Sequence, residues 1–169
     1  ALLAVPSDAS AQERPARPAP TVTQIASVVE LFTSQGCLSC PAADALLESY
    51  AKRPDVLALS YSVDYWDYLG WKDTLASPKF TQRQRAYAKT RGDGQVYTPQ
   101  LIVNGGAHMA GSRKADIDRA LLKASASDAA QRVTLDAKIE NGHLVVDASG
   151  LPEGAAPVKD ATLWLAVMA

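Results

Sequence analysis

Two apolar runs separated by a segment of helix length constrain this chain more than any other feature. Ser27-Val28-Val29-Glu30-Leu31-Phe32-Thr33 is β-branched and mostly apolar, the pattern of a strand buried on both faces. Ser34-Gln35-Gly36 breaks it. A helix is predicted from about Cys37 to Lys52, with Pro41 in the first turn, where its missing N–H costs nothing. Leu46, Leu47, Tyr50 and Ala51 supply its apolar stripe. A second strand is predicted from Val56 to Val63. Strand, helix and strand in this order make a βαβ unit, with parallel strands and a right-handed crossover.

An aromatic loop follows, Asp64-Tyr65-Trp66-Asp67-Tyr68-Leu69-Gly70-Trp71. Ser77-Pro78 is an N-cap followed by proline at the first helical position, opening a helix to about Thr90 with Phe80 and Tyr87 on one face. Arg91-Gly92-Asp93-Gly94 ends it. A further strand is predicted from Gln95 to Val103; it contains Thr98-Pro99 and turns at Asn104-Gly105-Gly106 into an antiparallel return over Ala107 to Ala110. Gly111-Ser112 then caps a helix with the stripe Ile117, Ala120, Leu121 and Ala124. A proline inside a strand pattern normally argues against the strand.

Beyond Ser127 the period changes from helical to alternating. Val133, Leu135, Ala137 and Ile139 alternate with polar residues, Asn141-Gly142 turns the chain, and Leu144, Val146 and Ala148 alternate back. With a two-residue turn, Ile139 faces Leu144, Ala137 faces Val146 and Leu135 faces Ala148, so one face of the hairpin is apolar throughout. A strand at 162–167 completes a small antiparallel β appendage over 127–169, which reads as cut short of its natural end. At the other terminus, residues 1–20 read as the remnant of a signal peptide and a proline-rich linker. Ala1-Leu2-Leu3-Ala4-Val5 resembles the end of an apolar h-region, and Ala9-Ser10-Ala11 a cleavage site. Export to the bacterial periplasm or outside the cell is the expectation; a frayed Ala/Pro-rich terminus is the alternative.

Composition narrows the partners. The formal charge is -1, from 17 basic and 18 acidic residues, so no basic surplus points to nucleic acid or an anionic membrane. No apolar run approaches the roughly 20 residues that cross a bilayer, and a soluble protein is expected. No cofactor or resident metal is expected either.

The chemistry lies in the two cysteines, spaced Cys37-Leu38-Ser39-Cys40. At a strand-to-helix junction the first sulfur sits where unpaired backbone N–H groups and the helix dipole favour a thiolate, and the second closes a disulfide one turn on. Cys37 is expected to be the exposed attacking thiolate and Cys40 the resolving thiol. No cationic side chain lies beside them, so any lowering of the thiol pKa must come mainly from the helix end. Three other readings stand beside redox use. A static disulfide would close too small a ring to be an effective staple. A zinc site would need ligands that His108 and His143 are poorly spaced to supply. Two buried inert thiols are the third.

Residues 27–124 resemble the thioredoxin fold: a C-x-x-C after the first strand of a βαβ unit, then Thr-Pro opening the strand of a ββα unit. The resemblance implies a thioredoxin-like α/β domain over 21–126, ordered βαβ–α–ββα. It further implies a cis Thr98–Pro99 peptide with the Thr98 backbone facing Cys37. More closely, the chain resembles the bacterial exported family of unknown function DUF1223. The likeness is carried by Val28 to Cys37, Cys40 to Leu47, Val63 to Asp73, Gln84 to Tyr87 and Val96 to Gln100. That family often has Ser-Ser between its cysteines and Pro-Pro after them; Leu38 and Ala42 depart from this, which leaves the sulfurs in place.

The resemblance implies a thiol–disulfide oxidoreductase acting on cysteine-containing proteins or a redox partner, with Thr98 and Pro99 binding the substrate backbone. Glu30 is a candidate proton shuttle for the resolving cysteine, as thioredoxins bury an acid beneath the dithiol; a structural acid with a local partner is the alternative. Tyr65, Trp66 and Tyr68 are candidates for an aromatic rim that receives substrate, while Trp71 is expected to pack inward. His108 is expected to be a satisfied hairpin residue. Two further functions stay open: a protein that handles Cu(I) or another soft metal through the two thiolates, and a non-catalytic binding module.

Overall fold

The computed structural model describes residues 25–127, 133–149 and 165. Its centre is β1 (Ser27–Thr33), flanked by the parallel β2 (Val56–Ser62) and the antiparallel β3 (Gln100–Val103), with β4 (Ala107–Ala110) paired antiparallel outside β3. The sheet order is β2-β1-β3-β4, and three helices join it: α1 (Pro41–Ala51), α2 (Pro78–Arg91) and α3 (Lys114–Ser127). The result is a mixed α/β unit, in the element order that the sequence predicts.

Alternation along β1 sends its side chains to two separate cores. Val29 and Leu31 pack with Ala43, Leu47 and Tyr50 of α1 and with Ile117 and Leu121 of α3. Phe32 points to the other face, against Val63, Ile102 and Tyr87 of α2. Its ring stacks on Tyr61 at 5.4 Å and meets Tyr87 edge-on at 6.3 Å. A strand covered by helices on both faces has almost no polar position, which is why the sequence of β1 is nearly continuous in apolar residues.

The α2 termini follow their sequence signals. Ser77 accepts a hydrogen bond from the Lys79 N–H, Pro78 fills the first position, and Gly92 closes the helix in the left-handed region at φ 76°, its N–H donating to the carbonyls of Ala88 and Lys89. Two boundaries differ from expectation. The first helix begins at Pro41 and not at Cys37, because the dithiol occupies a preceding turn in which the Cys40 N–H donates to the Cys37 carbonyl at 3.1 Å. The strand expected from Gln95 begins only at Gln100; residues 95–99 run as a loop, with the proline outside the ladder.

The second sheet is the hairpin β5 (Thr134–Glu140) and β6 (His143–Ser149). Its register pairs Ile139 with Leu144, Ala137 with Val146 and Leu135 with Ala148, as the alternation requires. Asn141 and Gly142 turn it with φ 51° and 79°, the conformation that favours this residue pair. The predicted leader over 1–20 and the predicted strand at 162–167 lie outside the described residues, Leu165 excepted. No helix among the described residues is long and apolar enough to cross a membrane.

Because Phe32 joins the two aromatic flanks of its core, Phe32→Ala should cost about 3–5 kcal/mol. Urea unfolding followed by circular dichroism measures this, and a loss below about 1 kcal/mol would show that this core collapses around the gap.

Candidate functional site

The sheet register brings four connections to one edge. Thr33 lies opposite Ser62 and Phe32 opposite Gln100, while Gln100 pairs Ala110. The segments after β1 and β2, the segment before β3 and Gly111 after β4 therefore emerge together. The first carries the dithiol, the second the aromatic loop and the third Thr98-Pro99.

Cys37 and Cys40 are joined as a disulfide. The Cys37 N–H donates to the Ser34 carbonyl at 3.1 Å, and Cys40 is the N-cap of α1, its carbonyl accepting from Ala43 and Asp44 at 2.8 and 3.0 Å. Cys37 is 4% exposed and Cys40 fully buried, so the expectation of an exposed Cys37 is corrected: it is only the shallower of two covered sulfurs. Its Sγ lies 3.5 Å from the Ser39 hydroxyl, and between the cysteines Leu38 projects entirely into solvent.

The Thr98–Pro99 peptide is cis. The Gly111 N–H donates to the Pro99 carbonyl at 3.0 Å. A Cβ on Gly111 would fall 3.0 Å from Ala43 Cβ, 3.3 Å from Pro99 Cβ and 2.6 Å from Leu31 Cδ1, so Gly111 marks where the proline loop, the first turn of α1 and β1 converge. Thr98 is held from the other side by the Trp66 indole, whose N–H donates to its hydroxyl at 2.8 Å. Trp66 in turn covers Gly36, whose Cβ position would lie 3.1 Å from Trp66 Cβ. Trp66 thus bridges the residue before Cys37 to the residue before Pro99.

The other rim candidates divide. Tyr65 turns inward and donates to Gln84 Oε1 at 3.2 Å, whereas Tyr68 is exposed. Trp71, expected to pack inward, is 64% exposed, with its indole N–H donating to Gln35 Oε1 at 3.2 Å. The exposed apolar side chains of this loop are Tyr68, Leu69, Trp71 and Leu75, with Leu38 from the dithiol turn. Asp73 fixes the loop to that turn: its buried carboxylate accepts from the backbone N–H groups of Gln35 and Leu75, both at 2.9 Å.

Glu30 is 3% exposed but faces α2, the side opposite α1. Its carboxylate accepts from Arg83 Nε and Nη2 at 3.0 and 2.6 Å, and from the Tyr87 hydroxyl. Arg83 lies over the Tyr61 and Tyr87 rings, and burial together with the carboxylate pushes the Tyr87 hydroxyl pKa upward. Both carboxylate oxygens are thus engaged from α2, the placement of an acid with a local structural partner.

A second polar network, invisible in the sequence, supports the proline loop. Buried Gln84 donates to the Tyr97 carbonyl at 2.7 Å and to Gln100 Oε1 at 2.8 Å. That orientation leaves the Gln100 amide nitrogen as a donor, 3.3 Å from the Gln95 carbonyl and 3.2 Å from His108 Nδ1. His108 Nδ1 must therefore accept, from Gln100 and from the Tyr97 hydroxyl at 3.0 Å, so its proton sits on Nε2, 3.1 Å from Asp93 Oδ2. His108 is the satisfied hairpin residue expected. Among the described residues, no three His, Cys, Asp or Glu side chains converge as metal ligands would.

A mixed sheet whose one edge gathers a disulfide, an aromatic loop and a cis-proline loop defines a dithiol-bearing α/β protein. The chain belongs to the family described as Protein of unknown function (DUF1223), whose model matches residues 28–169. It is similar to a protein from Agrobacterium tumefaciens of known crystal structure, with 42% sequence identity and a TM-score of 0.67 over 74% of this chain and 56% of that one. The chain thus spans little more than half of that protein's length. No curated protein compared with it matches.

Two predictions follow from the supports of this edge. Gly111→Ala must separate Pro99, Ala43 and Leu31, an overpacking that should cost about 1–3 kcal/mol in urea unfolding; unchanged stability would show that the loop yields freely. Asp93 carries a pKa lowered to about 2 by Arg91 first, then the Gln95 N–H and His108. A depressed carboxylate stabilises the fold above its ordinary value of 3.8, and that contribution is lost as pH falls toward 2. Asp93→Asn should therefore lower Tm at pH 6, with the gap to the parent closing between pH 4 and pH 2; a gap independent of pH would contradict this.

Proposed function

We propose that this chain is an exported, thioredoxin-like thiol–disulfide exchange protein acting on cysteine-containing polypeptides. The observation that carries the reading is the joining of Cys37 to Cys40 at the sheet edge where the Thr98–Pro99 loop meets the first turn of α1. A disulfide spanning four residues contributes little as a staple, since it closes almost no loop in the unfolded chain. Its use is better sought in exchange. The leader reading of residues 1–20 supports export, into compartments where disulfides persist.

In the oxidised form, a substrate thiolate attacks Cys37 Sγ, the shallower sulfur, and the Cys37–Cys40 bond breaks as Cys40 leaves as a thiolate. A second substrate thiolate then attacks the substrate sulfur of the mixed disulfide and releases Cys37. The substrate is oxidised by two electrons, and the protein, reduced by two, takes up the two protons as thiols. Run backwards, the same steps reduce a substrate disulfide, with Cys37 as nucleophile and Cys40 resolving. The Ser39 hydroxyl, 3.5 Å from Cys37 Sγ, is the side-chain donor placed to stabilise a thiolate there. Thr98 and Pro99 border the path of the incoming chain. Trp66 acts behind them as a positioning residue, holding Thr98 through its indole.

Cys37→Ser should abolish turnover of a cysteine-containing protein substrate, while Cys40→Ser should accumulate mixed disulfides visible by mass spectrometry under non-reducing conditions. Unchanged turnover in either variant would remove the dithiol from the mechanism.

A further inference from the structure

A groove of about 340 Å³ lies between α1 and the edge strand β2, with Thr33, Ser34, Gln35, Asp44, Glu48 and Ser60 among its lining. It reaches the dithiol: Ser34 and Gln35 lead into Gly36-Cys37, and Asp44 stands in the first turn of α1 after Cys40. Two features inside it are incomplete. Thr33 is 5% exposed, and its buried hydroxyl oxygen makes no hydrogen bond, a state that native structures rarely leave without a reason. Asp44 forms no salt bridge among the described residues.

The two charged side chains that line the groove, Asp44 and Glu48, are both acidic. Burial pushes the Asp44 carboxyl above its ordinary value; the Thr33 hydroxyl, which faces it without closing a hydrogen bond, opposes that, and the like charge of Asp73 adds to it. Glu48 is occupied by Lys52 at 2.8 Å on the exposed flank of α1. From β2 come the hydroxyls of Ser60 and Ser62 and the methyl of Ala58, while Leu47 and Ala51 of α1 supply apolar wall. A carboxylate with no cation, beside a buried hydroxyl oxygen that closes no hydrogen bond, calls for a cation bearing N–H donors, and the apolar wall suits a methylene stem behind it.

We propose that this groove seats a lysine or arginine side chain of the polypeptide presented to the disulfide, its charged head donating to Thr33 Oγ1 and pairing with Asp44. The proposal rests on the thiol–disulfide reading above and adds its substrate class: cysteine-containing chains with a basic residue near the reacting thiol. Trp71 and Leu75, exposed beside the groove mouth, would flank the same chain.

The test uses the oxidised protein and three synthetic peptides, each with one cysteine and a neighbouring lysine, norleucine or glutamate, with exchange rates read by acid quench and mass spectrometry. The lysine peptide should react about fivefold faster than the norleucine peptide, as a part-exposed charge pair allows, and the glutamate peptide slowest. That ratio should fall toward one in Asp44→Asn and in Thr33→Val, whose Tm, read by circular dichroism, reports folding separately. Excess N-acetyl-lysine amide should suppress the lysine advantage. Reaction with dithiothreitol but equal rates for all three peptides would overturn the groove assignment and leave the exchange reading standing. The same holds if spermidine binds while the lysine peptide shows no advantage. Failure to react even with dithiothreitol would remove the exchange reading, and this proposal with it.

Discussion

The register of β1 governs everything at the sheet edge that carries the disulfide. Because Thr33 aligns with Ser62 on one side and Phe32 with Gln100 on the other, the dithiol turn, the aromatic loop and the Thr98–Pro99 segment cannot emerge anywhere but together. A slip of one residue would exchange the Val29/Leu31 face with the Glu30/Phe32 face, placing a carboxylate in the core under α1 and a phenyl ring where no cavity exists. The two cores therefore lock the register, and the register places the dithiol. The placement of the disulfide depends on packing among side chains other than its own cysteines.

What holds the edge rigid is a set of buried polar groups that each close on a partner. Gln84 ties α2 to the proline loop, Gln100 passes the contact to His108, and His108 ends on Asp93. Every member is committed in donor and acceptor role once the Gln84 amide is oriented by the Tyr97 carbonyl. Satisfied networks of this kind stiffen a loop more than separate bonds would, since losing one member strands its neighbour in a medium of low dielectric. Trp66 closes the frame from the dithiol side. Under the exchange reading proposed above, a site that must align an incoming thiolate with a sulfur would gain from such stiffness.

How much of this was legible depended on whether the signal was local. The β5–β6 register followed from alternation and an Asn-Gly turn, and the ends of α2 from Ser77-Pro78 and Gly92, because each is settled by neighbours in sequence. The cysteine spacing identified the dithiol, but not the start of α1, since a C-x-x-C turn and a first helical turn share the same residues up to Pro41. Glu30 was ambiguous for a different reason. A lone acid in an apolar strand announces burial but not the face it takes, and that face is decided by Arg83 and Tyr87, more than fifty residues away. Gln84 and Gln100 gave no warning at all: a buried amide is recognisable only once its partners are known.

The same edge shows where stability and use part company. Thr33 sits at the end of the best-packed strand with a buried hydroxyl that faces Asp44 and closes no hydrogen bond, although valine would fill the same volume without a polar atom to desolvate. Asp44 stands near it as a carboxylate without a cation, its charge further disfavoured by Asp73. Neither choice strengthens the folded state, and both lie on the groove that opens beside Cys37. Glu30, by contrast, is a buried charge with every oxygen engaged. The difference between the two acids is the difference between a charge that completes the fold and one that awaits something outside it.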